Sequence, residues 1–329
     1  MGAGHDHGHA HGHGGHSHGA SADSDKRWLA GALAVIVAFL LGEVVVGLIA
    51  GSLALLSDAA HMLTDAASIA LALWAIRLAA RPAAGAMTFG WKRAEILSAQ
   101  VNGLTLLVLA GWLGFEAIRR LLNPPEVTGA LVLVTALVGV VVNVAASWMI
   151  SRANRTSLNV EGAFQHILND LFAFIATAIA GAVIMVTGFA RADAIASLVV
   201  VILMLKAGIE LVRASTRVFL EAAPVGLDPG EVGPAMAAVD SVVEVHDLHI
   251  WEITSGSPAL SAHVLVQPER DCHTARTTLA DLLADRFHID HATLQVDHAE
   301  PEVLTLGAPD PSLHCDDSHG PVHRNPATH

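Results

Sequence analysis

Six apolar runs between Trp28 and Val212 decide what this chain can fold into. They extend from Trp28 to Ala50, Leu53 to Ala80, Ala94 to Ile118, Val127 to Ile150, Val160 to Thr187 and Ala194 to Val212. Each has the roughly 20 residues that a helix needs to cross a bilayer. A span in hydrocarbon must satisfy its own backbone, so each run reads as a transmembrane helix. Gly51-Ser52 and the Gly188-Phe189-Ala190-Arg191 region are tight connections, and Asn123-Pro124-Pro125 stops the third helix. Composition agrees: of 329 residues, 53% are hydrophobic and only 15% charged, against about 25% charged in an average soluble protein.

Lys and Arg placement orients the spans. One side carries ten: Lys26, Arg27, Arg77, Arg81, Lys92, Arg93, Arg152, Arg155, Arg213 and Arg217. The other carries three, Arg119, Arg120 and Arg191, with the first two expected at headgroup level. The bias places both termini in the cytoplasm of a multi-pass protein of the cell (inner) membrane. The N-terminus is polar and His-rich, which excludes a signal peptide. The net charge of −13, with many acidic residues after position 220, argues against a nucleic-acid partner. Cys272 and Cys315 suggest no disulfide framework, which fits a reducing compartment.

Residues 1–25 hold seven histidines among Gly and small residues. No core can form there, so this tail is expected to be disordered, with weak multivalent metal capture as its chemistry. Residues 26–222 form the six-helix transmembrane domain. Residues 223–299 change character: a short helix opens at Asp228-Pro229-Gly230-Glu231, and 242–251 and 262–266 alternate as strands. A helical pattern covers 273–287 and a third strand 292–296. The order αββαβ describes a small α+β domain. The polar, Pro-rich tail 300–329 is expected to be disordered.

Charge is costly inside an apolar run, yet Asp58, His61 and Asp65 fall within the second span. Steps of three and four residues put all three on one helix face. The fifth span repeats the pattern in Gln165-His166-Ile167-Leu168-Asn169-Asp170. Two His-x-x-x-Asp pairs supply two imidazoles and two carboxylates, a four-ligand set of the type Zn²⁺ takes. An all-oxygen site would suit Mn²⁺ or Mg²⁺ better. The plainer reading, a polar network tying two helices together, leaves the buried charges without an ion to justify them. Asp58 and Asn169 are placed in a supporting shell, because ligand histidines donate their second N–H to a carboxylate. Glu43, Asn102 and Asn143 are assigned to interhelical hydrogen bonds. Glu95 is set to pair with Lys92 or Arg93 at the cytoplasmic rim.

Four motifs in order carry a family resemblance over about residues 28–298. They are Leu56-Ser57-Asp58-Ala59-Ala60-His61-x-x-x-Asp65, Phe89-Gly90-Trp91-Lys92-Arg93-Ala94-Glu95-Ile96-Leu97, His166-x-x-x-Asp170 and Val245-His246-Asp247-Leu248-His249-Ile250-Trp251. Together they resemble the cation diffusion facilitator family, in its zinc-type branch. The resemblance implies a homodimeric metal/proton antiporter with six helices per protomer and a cytoplasmic metallochaperone-like domain. It implies transport ligands at His61, Asp65, His166 and Asp170, and cytoplasmic ligands among His246, His263, His273 and Asp297. Two departures stand out. The loop from Arg81 to Trp91 has no His, Asp or Glu, so no metal site is expected there. Gln295 stands where members with a two-metal cytoplasmic site have a His, which leaves one or two metals open, with His298 as a possible substitute.

The expectation is export of Zn²⁺ in exchange for H⁺ by alternating access, with Cd²⁺, Co²⁺ or Ni²⁺ as other cargoes. No enzyme activity and no prosthetic group are expected; Zn²⁺ serves as cargo and regulatory ion, and the partners are the bilayer, H⁺ and a second copy of the chain. A membrane metalloenzyme would need an open coordination position and a general base, and no His-Glu-x-x-His occurs. A metal-sensing protein that transports nothing is the third reading.

Overall fold

A computed structural model describes residues 18–50, 53–123, 129–155, 157–189, 191–299 and 320–325. Six long helices come first: α1 (His18–Ala50), α2 (Leu53–Ala79), α3 (Ala94–Leu122), α4 (Gly129–Ile150), α5 (Leu158–Thr187) and α6 (Ala192–Phe219). Helix α1 takes in the last eight residues of the tail expected to be disordered, from His18 onward. The stretch Ala20 to Lys26 has no Gly or Pro, so nothing in it stops the helix that Trp28 onward demands. The tail residues before 18 lie outside the described residues. Among the described residues, four segments are long and apolar enough to cross a membrane: Ala94–Leu122, Leu133–Ile150, Leu158–Thr187 and Ala194–Phe219.

Two buried clusters fill the bundle, with α5 packing on both. Helices α1, α2, α4 and α5 share one core, built from Leu29, Ile36, Met62, Ile69, Ile150 and Ile167 among others. Helices α3 and α6 pair around Leu106, Ala110, Val200 and Met204. Glycines let this pair close: a Cβ on Gly103 would lie 3.3 Å from Gly208 O, and one on Gly208 would lie 3.2 Å from Gly103 O. Lipid tails are as apolar as leucine, so such helices associate through close packing rather than burial from water. Trp112, Phe115, Val141, Val186 and Ile202 remain exposed on the outer faces, where lipid would cover them.

Polar residues in the bundle depart from the interhelical bonding expected. Asn143 Nδ2 donates to Gly139 O of its own helix at 3.0 Å. Asn102 is buried against Gly162 of α5. The Glu43 side chain lies outside the described residues. Arg119 and Arg120 reach back to Glu116 at 3.3 and 3.0 Å, which neutralises part of their charge near the helix end.

The second domain comprises α7 (Pro229–Ala237), β1 (Val242–Thr254), β2 (Ser257–Val266), α8 (Cys272–Phe287), β3 (His291–His298) and β4 (His323–Arg324). Asp228 caps α7 through Gly230 N–H at 2.8 Å, with Pro229 in the first turn. Asp271 caps α8 through the N–H groups of His273 and Thr274. The Thr274 hydroxyl, donating at 2.6 Å, is the main cause that holds the Asp271 carboxyl below its ordinary 3.8. The sheet order is β3-β2-β1-β4, with β2–β3 parallel and the other pairs antiparallel. Val242, Val245, Leu260, Val264 and Val266 pack against Met236, Leu279 and Leu283 on the helix-covered side. The strand β4 corrects the αββαβ expectation and, over 320–325, the expectation of a disordered tail. Its partners are non-local: Val245 pairs with His323 and Glu244 with Arg324.

The two domains meet where α3, α5 and the β1–β2 turn come together. Glu95 accepts from the Ser157 hydroxyl, and Thr254 Oγ1 lies 3.3 Å from Glu95 Oε2. Ser255 Oγ accepts from Leu158 N–H at 3.1 Å. Arg93 instead pairs with Glu221 at 3.0 Å. The expected partnership of Glu95 with Lys92 or Arg93 is thus replaced by hydroxyl partners from two distant segments.

Candidate metal centres

The first centre sits between α2 and α5. Ser157 starts α5 by accepting from Val160 N–H, and Glu161 in the first turn is held by Arg155 at 2.9 and 3.2 Å. Two turns further on, His166 and Asp170 point inward, one turn apart. Asp65 faces them from the middle of α2. All three are buried, with side-chain exposures of 0% for Asp65, 1% for His166 and 4% for Asp170. His166 Nε2 lies 2.9 Å from Asp65 Oδ1 and 3.8 Å from Asp170 Oδ2. One ligand atom from each residue lies within 4.8 Å of the others, close enough for a single ion.

A second contact fixes the register of this pair. Asn159 Nδ2 donates to Ala72 O at 2.9 Å, seven residues from the His166–Asp65 contact on each helix. Seven residues is about two turns, roughly 10 Å of rise, so the antiparallel helices are pinned at two levels on one face. Met62, Ile69 and Ile167 fill the space around these pins. Beside the centre, Asn169 Nδ2 donates to Gln165 O at 2.7 Å, and Gln165 Nε2 donates to Glu161 Oε1 at 2.6 Å. His61 and Asp58 belong to helix α2, but their side chains lie outside the described residues.

The second centre lies on the open face of the sheet, away from α7 and α8. His246 and His263 are cross-strand partners with ring centroids 5.5 Å apart. Asp247 joins them, with Oδ2 3.5 Å from His263 Nδ1, and the three ligand atoms fall within 4.8 Å. Asp247 has φ 49° and sits in a break of strand register between His246 and His249. That left-handed turn swings its carboxylate onto the side where His246 already points. Sequence reasoning overlooked Asp247, because strict alternation sends it to the opposite face. The signal available was the imperfect alternation of Val245-His246-Asp247-Leu248-His249.

Two residues expected here lie apart from this group. His273 is exposed in the first turn of α8, where its backbone N–H serves the Asp271 cap. Asp297 accepts from Gln295 Nε2 at 2.9 Å, on the strand beyond β2. Gln295 pairs in register with His263, so it borders the cluster. His298 is engaged with Arg270 O at 2.9 Å.

The donor chemistry of both centres fits a borderline divalent ion: imidazole nitrogen with carboxylate oxygen, no thiolate, and more nitrogen than an Mg²⁺ or Ca²⁺ cage uses. At the sheet, the buried His246 Nδ1 lies 3.2 Å from Glu244 Oε1 without completing a hydrogen bond.

Both domains are similar to known proteins. Residues 29–220 match the family described as the cation efflux transmembrane domain, and residues 227–299 match the cation efflux protein cytoplasmic domain. The "Metal cation efflux system protein CzcD" of Cupriavidus metallidurans is 40% identical over 283 residues, covering 84% of this chain and 88% of its own. The "Zinc transporter ZitB" of Escherichia coli is 36% identical, covering 84% and 88%. The "Cadmium, cobalt and zinc/H(+)-K(+) antiporter" of Bacillus velezensis is 35% identical, covering 84% and 90%. A helical membrane domain with a buried His and Asp centre, followed by an α+β cytoplasmic domain, makes this chain a member of the cation efflux, or cation diffusion facilitator, family.

Proposed function

We propose that this protein exports Zn²⁺ from the cytoplasm in exchange for H⁺, with Cd²⁺ and Co²⁺ as further cargoes. The observation that carries the reading is the buried Asp65–His166–Asp170 group between α2 and α5. The relatives' names supply the cargo: zinc for one, and cadmium, cobalt and zinc, against protons and potassium, for another. His61, one helical turn before Asp65, is the fourth ligand, which closes the tetrahedron that Zn²⁺ favours. Asp58 and Asn169 support it from the same two faces.

The same contacts explain the coupling. His166 Nε2 lies 2.9 Å from Asp65 Oδ1, where a proton can be held between the two. That proton must leave before the nitrogen can bind metal, so ion and proton compete for one site. Alternating exposure of the site to the two sides then exchanges one for the other. In this reading all six helices α1–α6 cross the cell membrane, and the ten-to-three Lys/Arg bias supports termini in the cytoplasm. The cytoplasmic domain dimerises, in keeping with its family, and its His246–Asp247–His263 group holds a regulatory Zn²⁺. The chain catalyses no covalent reaction and carries no prosthetic group.

Everted membrane vesicles test this reading. Vesicles containing the protein are expected to accumulate ⁶⁵Zn when their interior is acidified, and to release it when the gradient is collapsed. Asp65→Asn and Asp170→Asn, at equal protein level, are each expected to lower uptake by about 100-fold, the upper end of what loss of even an outer-shell partner costs. Uptake at the wild-type rate in both variants would remove the site.

A further inference from the structure

Neither family match extends past residue 299, yet residues 320–325 are built into the cytoplasmic domain. His323 and Arg324 add the strand β4 to the free edge of β1. Asn325 is buried at 4% exposure and ties the segment down: its N–H donates to Val243 O at 3.1 Å and its Nδ2 to Val242 O at 3.0 Å. His323 packs against α7 so closely that Gly233 leaves no room for a Cβ, which would meet the ring at 2.2 Å.

One side chain of this strand leads to the metal cluster. Arg324 Nε donates to Glu244 Oε2 at 2.9 Å. The other oxygen of the same carboxylate, Oε1, lies 3.2 Å from His246 Nδ1. Glu244 and His246 are two residues apart on β1, so they share the open face of the sheet with His263. Arg324, Glu244, His246 and the cluster therefore form one chain of contacts.

We propose that the C-terminal segment 320–325 is an arm of the cytoplasmic metal site: Arg324 fixes Glu244, and Glu244 orients His246 for the ion. This rests on the reading of His246, Asp247 and His263 as a metal site. The chemistry is that of a carboxylate behind a ligand histidine. With Nδ1 turned towards Glu244, Nε2 is the nitrogen left to bind. Arg324 and Glu244 are positioning residues, since neither belongs to the three-ligand group. Docking of the arm and binding of the ion are linked, so each must strengthen the other by the same factor. A strand of two residues is weakly held, which makes its docking responsive to that factor.

Hydrogen exchange on the full-length protein in detergent tests this, in an Asp65→Ala/Asp170→Ala background that silences the transport site. Zinc alone is the probe. Slowed exchange of amides 242–254 reports the cluster, and slowed exchange of 320–325 reports the arm. Both are expected to respond at the same zinc concentration. Arg324→Gln, and a chain ending at 319, are expected to raise that concentration about tenfold for 242–254, the low end of the effect of second-layer partners. Arg324→Lys is expected to restore most of it, which separates a charge contact from mere folding of the edge. An unchanged zinc midpoint in Arg324→Gln and in the shortened chain overturns the arm while leaving the cluster in place. So does a zinc response of 242–254 that 320–325 does not share. No zinc response at 242–254 that His246→Ala removes overturns the metal site and the arm together.

Discussion

At the scale of single residues, ligand identity sets which ion is taken. On the proposed ligand set of two imidazoles and two carboxylates, His61→Asp leaves a single imidazole. Fewer nitrogen ligands weaken the preference for Zn²⁺ over harder or larger ions. The ratio of Mn²⁺ or Cd²⁺ to Zn²⁺ uptake is therefore expected to rise severalfold in vesicles, whatever happens to the absolute rate. Unchanged ratios with persisting flux would remove His61 from the ligand set. A second residue gives a pH dependence with a definite sign. Asp271 has its carboxyl pKa lowered by Thr274 and His273 at the start of α8. Its contribution is thus fully present above pH 3.8 and is lost as pH falls below that value towards the lowered one. Asp271→Ser, which keeps a capping oxygen but no titrating group, is expected to flatten this part of the acid-unfolding curve followed by circular dichroism. The residues legible in the sequence were those governed by one helix: His166 and Asp170 share a face because four residues make about a turn. Asp247 was not legible, because its placement depends on a break in strand register. The partners of Glu95 were not legible either, since Ser157 and Thr254 are brought to it by the fold alone.

Elements add constraints that no single residue expresses. The α3–α6 pair depends on Gly103 and Gly208 facing one another. A Cβ on Gly208 would come within 2.8 Å of Leu107 Cδ2 and 3.2 Å of Gly103 O. Gly208→Val is expected to destabilise the purified protein by about 1–3 kcal/mol, the usual cost of overpacking. Gly111 lies on the same helix α3, yet a Cβ there meets nothing within 4 Å. Gly111→Ala is expected to leave thermal stability unchanged or to raise it slightly, because Ala is the better helix former. Equal melting temperatures for both variants would show that the close approach is unimportant. Helices were the readable elements here, since apolar length announces them. The strand β4 was unreadable for the opposite reason: His323-Arg324 has no pattern of its own and becomes a strand only through β1.

The whole molecule is organised by which helices share a core. Asp65, His166 and Asp170 all lie on α2 and α5, inside the body formed by α1, α2, α4 and α5. The pair α3–α6 contributes none of these residues, although α6 leads directly into the cytoplasmic domain. Sequence periodicity could not show this division, because every helix is apolar on most of its surface and the partner choice lies in three dimensions. The consequence concerns direction. Residues carried within one packed core stay together whichever side they face, so the binding group need not be taken apart and rebuilt between sides; only the bonds to the ion break on release, as protons replace it. Such a carrier holds no preferred sense of its own; the two gradients supply it. Vesicles loaded with ⁶⁵Zn and made alkaline inside are expected to lose the isotope faster than vesicles at equal pH, with the same concentration dependence as uptake. The protein would then behave as a balance between zinc and proton potentials, emptying the cytoplasm only as far as the membrane's proton supply allows.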